Sequence, residues 1–577
     1  MALKNPYLLF SVLDVIIGLS SLIFPASSFS SSSSYSYLYD VILDENNATV
    51  LPAWVAGEWV LLNSSIGVSA MHMQVLKNNK VLIYDRMDMG PSNLSLPNGT
   101  ACVKKPKLPT DCTAHSLLYD VDSNSLRPLL FQTDTWCSSG SLDSNGTLIQ
   151  TGGYHDGDHV IRTFTPCDNE SCNWIELGVG LTQRRWYASN QILPDGHVIV
   201  MGGRNSYTYE FIPKRFVNES FYMSFLWETR DRYADENNLY PFIYLLPDGN
   251  LYVFANKRSV LFNYTSNKVV KEFPVIPGDF KRNYPSTGSS VLLPLLLNGT
   301  ELPEPEVMVC GGAPTGAFNK SNYHREFVSA ANTCGRLRLT DPNPKWVMEV
   351  MPMPRVMSDM LLLPSGEVLI INGAMNGTAG WEDAVNPVLN PVLYRPYESN
   401  PTQKFLVLNP SKIPRMYHSS AVLLPDGRIL VGGSNPHMKY NFTATYPTDL
   451  SLEAFNPYYV NPKISNMRPS ILSVELKKND TVSYQEVFTV TFALKQYLNG
   501  REISVALMTP SFTTHSFAMN QRMLVLEVTE KLQQLSTFTY KVTVRGPPTA
   551  TVAPSGYYML FVIHSGIPSH AVWVKVV

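Results

Sequence analysis

QILPDGHVIVMGG, residues 191–203, and AVLLPDGRILVGG, residues 421–433, decide the fold. Each runs an apolar pair into a Pro-Asp-Gly turn, a short β-rich strand and a closing Gly-Gly. Residues of this kind accept tight hairpin geometry, so each stretch reads as two strands joined by a turn. The signature recurs as SLDSNGTLIQTGG (141–153), YLLPDGNLYVFAN (244–256) and MLLLPSGEVLIINGA (360–374). A degenerate copy, MQVLKNNKVLIYD, covers 73–85. Another, SSVLLPLLLNGTELPEPEVMVCGG (289–312), is stretched by an insertion.

Seven hairpin copies at a period of about 50 residues are the sign of a kelch-type β-propeller. The glycine pairs let backbones crowd near a central axis, where larger side chains would clash. A β-sandwich would not produce a regular period of this length. The propeller is assigned to residues 50–461. Beyond Asn461 the period disappears, and segments such as VFTVTFALKQ, EISVALMTPS and GYYMLFVIHS follow at sandwich-like spacing. Residues 462–577 therefore read as an immunoglobulin-like β-sandwich, and the chain as all-β.

The first residues carry a lysine, Lys4, before an apolar stretch from Tyr7 to Phe24 and small residues from Ala26 to Ser28. This pattern predicts a secretory signal peptide over 1–28. Asp14 interrupts the apolar run, which is short for a spanning helix of roughly 20 residues, so no stable membrane insertion is expected. A serine-rich, flexible segment follows over 29–49. Thirteen Asn-X-Ser/Thr sequons, from Asn47 to Asn479, agree with export and N-linked glycans. The expected location is extracellular, in the apoplast or cell wall if the source is a plant. Charged residues make up 16% of the chain and the net charge is −2. That surface offers no basic field for nucleic acid.

Seven cysteines leave one without a partner. Cys102 with Cys112, Cys167 with Cys172 and Cys310 with Cys334 pair over short or moderate loops, and Cys137 remains. An odd cysteine in a secreted chain is a free thiol, an intermolecular bridge or some other covalent fate. A buried cysteine acting as a small hydrophobe is the plain alternative. Tyr187, however, stands at the same offset from its glycine pair as Cys137 does from its own. Neighbouring blades would then present sulfur and phenol side by side, as a thioether crosslink requires.

In the last blade, RMYHSSAVLLPDG brings Tyr417 and His418 to the same slot. Adjacent strand residues normally point to opposite sides, but where a strand begins both can reach one metal. In the sandwich, MTPSFTTHSFAMNQRMLVLEV carries His515 on a Thr/Ser-rich hairpin able to project into the channel mouth. Two imidazoles and two phenolates suit tetragonal Cu(II) with a vacant position for water or substrate. Zinc sites more often recruit carboxylate or cysteine with closely spaced histidine. Singly, Tyr417 could be a core tyrosine, and His418 or His515 a hydrogen-bonded loop histidine. YHDGDH, with His155 and His159, is a further metal candidate, although its Asp-Gly turn reads more simply as a solvated loop.

TWCSSGSL, RRWYASNQILPDG, RMYHSSAVLLPDG, FTTHSFAMNQR and SGYYMLFVIHSGIPSHAVWV stand in fixed order. Together they make the chain resemble the copper radical oxidases of the galactose oxidase/glyoxal oxidase superfamily, and specifically the plant glyoxal-oxidase-like aldehyde oxidases. That resemblance implies one copper ion and a Cys137–Tyr187 thioether radical cofactor. It implies Tyr417 as axial ligand and base, His418 and His515 as equatorial ligands, and Tyr187 as a further copper ligand. The implied reaction takes an aldehyde, as its hydrate, and O2 to a carboxylic acid and hydrogen peroxide. The alternatives are a primary-alcohol oxidase of the same superfamily and a non-catalytic propeller that binds a cell-wall glycan or protein. Two departures stand out. No galactose-binding-type sandwich precedes the propeller, and Asn205 holds the position where galactose oxidase stacks a tryptophan on its crosslinked tyrosine.

Overall fold

A computed structural model of the chain describes residues 54–104, 110–169, 171–231, 235–478, 481–498 and 503–577. The expected signal peptide, the serine-rich segment and the sequons at Asn47 and Asn479 lie outside them. Seven antiparallel blades make up the larger part, one for each hairpin copy: six are four-stranded sheets, and the four strands of the first join a two-stranded hairpin from the C-terminal part in a six-stranded sheet. The quoted hairpins supply the two innermost strands of each blade, such as Ser189–Ile192 with Val198–Met201. The last blade draws its outer strand from the front of the chain: Glu58–Asn63 pairs with Leu452–Asn456 and closes the ring.

The turns form as their residues dictate. In the third blade Gly196 N–H donates to Leu193 O (3.0 Å) and Leu193 N–H to His197 O (2.8 Å). Gly196 sits at φ +86°, in the left-handed region that glycine tolerates without cost. The glycine pairs do different work. The second residue of the pair donates its N–H to the carbonyl of a buried arginine leading into the next blade: Gly153 to Arg185 (3.1 Å), Gly312 to Arg355 (2.9 Å) and, where Asn372 replaces the first glycine, Gly373 to Arg415 (2.8 Å). A Cβ on Gly152 would overlap the Arg185 carbonyl, so blades could not approach this closely with any larger residue.

The C-terminal part is a two-sheet sandwich. One sheet is built on Ile503–Thr509, Arg522–Val525, Gly556–His564 and Val572–Val576, the other on Ser470–Glu475, Val487–Ala493 and Thr539–Arg545. Two strand pairings among the described residues tie it to the propeller. Leu295–Leu296, inside the insertion that stretches the fifth copy, pairs in parallel with Leu524–Val525. More consequentially, the hairpin Phe512–Thr514/Phe517–Met519 runs down the propeller axis, pairs with His72–Gln74 and touches the innermost strand of every blade. Gln521 holds its base, accepting from Leu362 N–H (2.7 Å) and donating to Met360 O (3.1 Å).

Three disulfides join Cys102–Cys112, Cys167–Cys172 and Cys310–Cys334, and Cys137 is free and buried. Among the described residues no helix is long and apolar enough to cross a membrane.

Candidate functional site

A residue one or two positions ahead leads into the inner strand of each blade. In six blades that residue adopts a left-handed backbone: Cys137 (φ +53°), Tyr187 (+68°), Tyr240 (+48°), Thr287 (+39°), Met357 (+60°) and His418 (+62°). This conformation costs a residue with a Cβ roughly 1–2 kcal/mol. The blade framework compels it, because the slots are laced to one another: Tyr187 N–H donates to Cys137 O and Tyr240 N–H to Tyr187 O, each at 2.9 Å. His418 therefore holds the slot of Tyr187, and Tyr417 the position before it, where the second and third blades carry Trp136 and Trp186. The axial hairpin turns at His515 (φ +44°) and Ser516 (φ +69°), a two-residue loop with both centres left-handed, which matches strand twist. That turn delivers His515 to the mouth of the ring.

The five residues named from the sequence meet there. Cys137 Sγ lies 3.2 Å from His515 Nε2. The His418 and His515 rings are 5.0 Å apart edge to face, and Tyr417 stacks on His418 at 3.9 Å. The Tyr187 and Tyr417 rings stand 6.1 Å and 5.6 Å from His515. None is more than 7% exposed.

Burial sets the electrostatics. It holds both imidazoles well below their usual pKa, so they are neutral with lone pairs free to ligate. Thr514 Oγ1, 2.6 Å from His515 Nδ1, orients that ring with Nε2 toward the centre. His418 finds no protein partner among the described residues for either buried ring nitrogen. An orphaned buried imidazole is costly, and a metal ion at this point would satisfy it. Burial also pushes the Cys137 thiol and the Tyr187 and Tyr417 phenols well above their ordinary values, with mutual repulsion adding to the phenols. Cys137, His418 and His515 form the one group of three metal-binding side chains among the described residues, each offering an atom within 4.8 Å of the others.

His155 and His159 do not join it. His155 opens a short 3-10 turn, against Tyr154 (3.9 Å), and His159 follows that turn, against Asp158 (2.5 Å). They line, with Tyr154, Trp186, Arg204 and Asn205, a cleft of about 480 Å³ beside the centre.

Two neighbours of Tyr187 escaped the sequence reading. Asn205 leaves the stacking position without an indole, but the preceding residue, Trp186, lays its ring 4.7 Å from Tyr187, tilted by 35°. The repeat could have revealed Trp186, since its slot is aromatic in three blades. Tyr284, from the lead-in to the fifth blade, stacks on Tyr187 at 4.4 Å and bonds the hydroxyls of both Tyr187 (3.1 Å) and Tyr417 (2.8 Å). No motif marks it. Trp136 and Trp381 stack at 5.4 Å nearby, with the Arg86 guanidinium 3.9 Å over Trp136.

Residues 71–459 match the family described as glyoxal oxidase N-terminus, and residues 468–576 the galactose oxidase-like Early set domain. The chain is 43% identical over 532 residues to aldehyde oxidase GLOX1 of Arabidopsis thaliana, covering 90% of this chain and 85% of that protein. It is also 43% identical over 542 residues to aldehyde oxidase GLOX of Vitis pseudoreticulata, covering 93% and 100%. A galactose oxidase of Gibberella zeae is more distant, at 24% identity over 77% of this chain and 61% of its own length. In three dimensions the chain shares its fold with a copper-bound fungal alcohol oxidase of the AA5 family, at a TM-score of 0.68 and 19% identity, over 90% and 99% of the two chains. The chain belongs to the glyoxal oxidase family.

Proposed function

We propose that this protein is a secreted copper radical oxidase that converts aldehydes, as their hydrates, to carboxylic acids and reduces O2 to H2O2. The observation that carries this reading is the meeting of Cys137, Tyr187, Tyr417, His418 and His515 in one buried pocket whose imidazoles are neutral. Copper fits that donor set: His418, His515, Tyr187 and Tyr417 offer two nitrogens and two oxygens. When bound, copper supplies one of the two one-electron acceptors and acidifies a substrate oxygen.

The protein's residues do the rest. Joined as a thioether, Cys137 and Tyr187 would supply the second acceptor, because sulfur feeds electron density into the phenol ring and lowers its oxidation potential. Tyr417 takes the proton of a substrate hydroxyl. Tyr187 oxygen takes the hydrogen atom from the substrate carbon. Two electrons and two protons thus leave the hydrate, which becomes the acid, and O2 carries them away as H2O2. Trp186 and Tyr284 lie against the Tyr187 ring and keep water from it. The disulfides and sequons support export to an oxidising extracellular space, the apoplast or cell wall in a plant, with N-linked glycans.

One observation favours a second reading. Cys137 Sγ, His418 and His515 alone could hold an ion as a thiolate–imidazole site. The copper-loaded, oxidatively activated protein, assayed for oxygen-dependent peroxide against aldehydes and primary alcohols, tests the main proposal. Peroxide with aldehydes and not without copper supports it. A copper-loaded protein silent on every aldehyde and alcohol refutes it.

A further inference from the structure

Two more phenols border the centre. Tyr240 gives its hydroxyl to Ser138 O at 3.0 Å, a contact internal to the framework. Tyr284 is different. Among the described residues its hydroxyl bonds the two phenols that carry the proposed chemistry, accepting from Tyr187 and sharing a hydrogen with Tyr417. It is also held still. Tyr284 bridges Leu239 through the backbone, and Asn283 on its N-terminal side accepts from Asn256 N–H (2.8 Å) and donates to Tyr240 O (3.0 Å). On the other side Pro285 O accepts from Ala379 N–H (2.9 Å). A side chain fixed from both flanks by neighbouring blades is pre-organised for a directional contact.

We propose that Tyr284 is a specificity-determining residue that selects the hydrated aldehyde over the primary alcohol, by hydrogen-bonding the second hydroxyl of the geminal diol. This inference rests on the oxidase reading above. A primary alcohol carries one hydroxyl on the reacting carbon and an aldehyde hydrate carries two. One hydroxyl must approach Tyr417 to lose its proton, and the carbon–hydrogen bond must face Tyr187. The second oxygen is then one carbon away, beside the Tyr284 hydroxyl, which bonds both phenols. The two phenols use two of the three hydrogen bonds a phenol hydroxyl can make, so the geminal diol adds the third where a substrate with one hydroxyl cannot, and a site built to bond a hydroxyl disfavours the analogue that lacks it.

The test pairs Tyr284→Phe and Tyr284→His with the wild type, all copper-loaded and oxidatively activated. The substrates are one short aldehyde and the primary alcohol of the same carbon skeleton. A second measurement uses the hydrate of trifluoroacetone, a geminal diol with no abstractable hydrogen, bound in a calorimeter. In Tyr284→Phe the aldehyde-to-alcohol ratio of kcat/KM should fall at least about tenfold, a change of 1.4 kcal/mol, and the fluoroketone hydrate should bind about as many times more weakly. Tyr284→His, which keeps a donor, should recover part of both. Copper content and the mass deficit of the thioether should match wild type. Equal losses on aldehyde and alcohol, or unaltered binding of the hydrate, overturn the proposal. A wild type with no crosslink and no peroxide overturns the oxidase reading and this inference with it.

Discussion

The third and sixth blades are built alike and do different things. Each begins with a buried arginine that grips its own blade: Arg185 donates to Gly202 O and Arg355 to Asn372 O, both at 2.8 Å. Each then passes through a left-handed residue, Tyr187 at φ +68° and Met357 at φ +60°. The third blade fills its two lead-in positions with Trp186 and Tyr187, the sixth with Val356 and Met357. Strain at the slot is thus a property of the propeller, present whether or not chemistry is done there. Function is grafted by residue choice on an indifferent scaffold. The blades differ elsewhere in charge. Arg185 pairs with Glu210 (2.8 Å), both fully buried, whereas Arg355 meets backbone carbonyls alone among the described residues. At the first residue of the inner strand the third blade has Ser189 and the sixth Asp359.

The largest effect expected from that comparison is catalytic. Tyr187→Phe should lower peroxide turnover per bound copper at least a thousandfold, about 4 kcal/mol in the barrier. Met357→Leu, in the same strained slot, should keep turnover within about twofold. A comparable loss in the Met357 variant would show that the slot geometry, not the phenol, matters.

Next come the arginines, read by denaturant unfolding. Arg185→Met leaves the fully buried Glu210 with the more distant Lys214 (3.8 Å) as its remaining cation among the described residues and should cost about 3–5 kcal/mol. Arg355→Met leaves only carbonyls unsatisfied and should cost about 1–3 kcal/mol. The reverse order would contradict the assigned partners.

A smaller, pH-dependent difference belongs to Asp359. Burial pushes its carboxyl up to about 7 from an ordinary 3.8, against one opposing hydrogen bond from Asn372 (2.8 Å). Between those values the folded chain keeps a proton that the unfolded chain has lost, so stability falls as pH rises from about 4 to about 7. Ser189 does not titrate, and it donates to Pro241 O at 2.7 Å. Asp359→Asn should therefore gain on wild type by about 1–3 kcal/mol between pH 5 and pH 8 in paired unfolding curves. A constant offset across that range would place the residue's cost elsewhere. The smallest effect is expected from the cleft loop: the double variant His155→Ala, His159→Ala should bind copper as wild type does and change turnover by less than about threefold.

The fold class was legible because turn chemistry is local. Pro194-Asp195-Gly196 and its counterparts announce hairpins whatever lies around them. Ring closure was not, since Glu58–Asn63 finds its partner at the far end of the propeller and carries no sign of it. Nor could the insertion at Leu295–Leu296 be seen to join a sheet of the sandwich. The candidate site was legible where the repeat gave residues a common slot, as for Cys137, Tyr187 and His418, and where a hairpin presented His515. Trp186 was passed over because adjacent strand residues ordinarily diverge, and a left-handed slot lets neighbours converge. Tyr284 was invisible for a plainer reason: only the closed ring brings the fifth blade beside the third and seventh.

On the proposed chemistry, the sulfur of Cys137 tunes Tyr187 and does not hold the metal. Intact-mass and peptide analysis of the activated wild type and of Cys137→Ala, each with its copper content and aldehyde turnover, tests it most directly. The wild type should be two hydrogens lighter than its three disulfides explain, with the deficit in a Cys137–Tyr187 peptide. The variant should lack the deficit, still bind copper through Tyr187, Tyr417, His418 and His515, and oxidise aldehyde at least tenfold more slowly, as a barrier higher by about 1.4 kcal/mol requires. A free or disulfide-bonded Cys137 in the active enzyme, copper lost with the sulfur, or undiminished oxidation by the variant would contradict it.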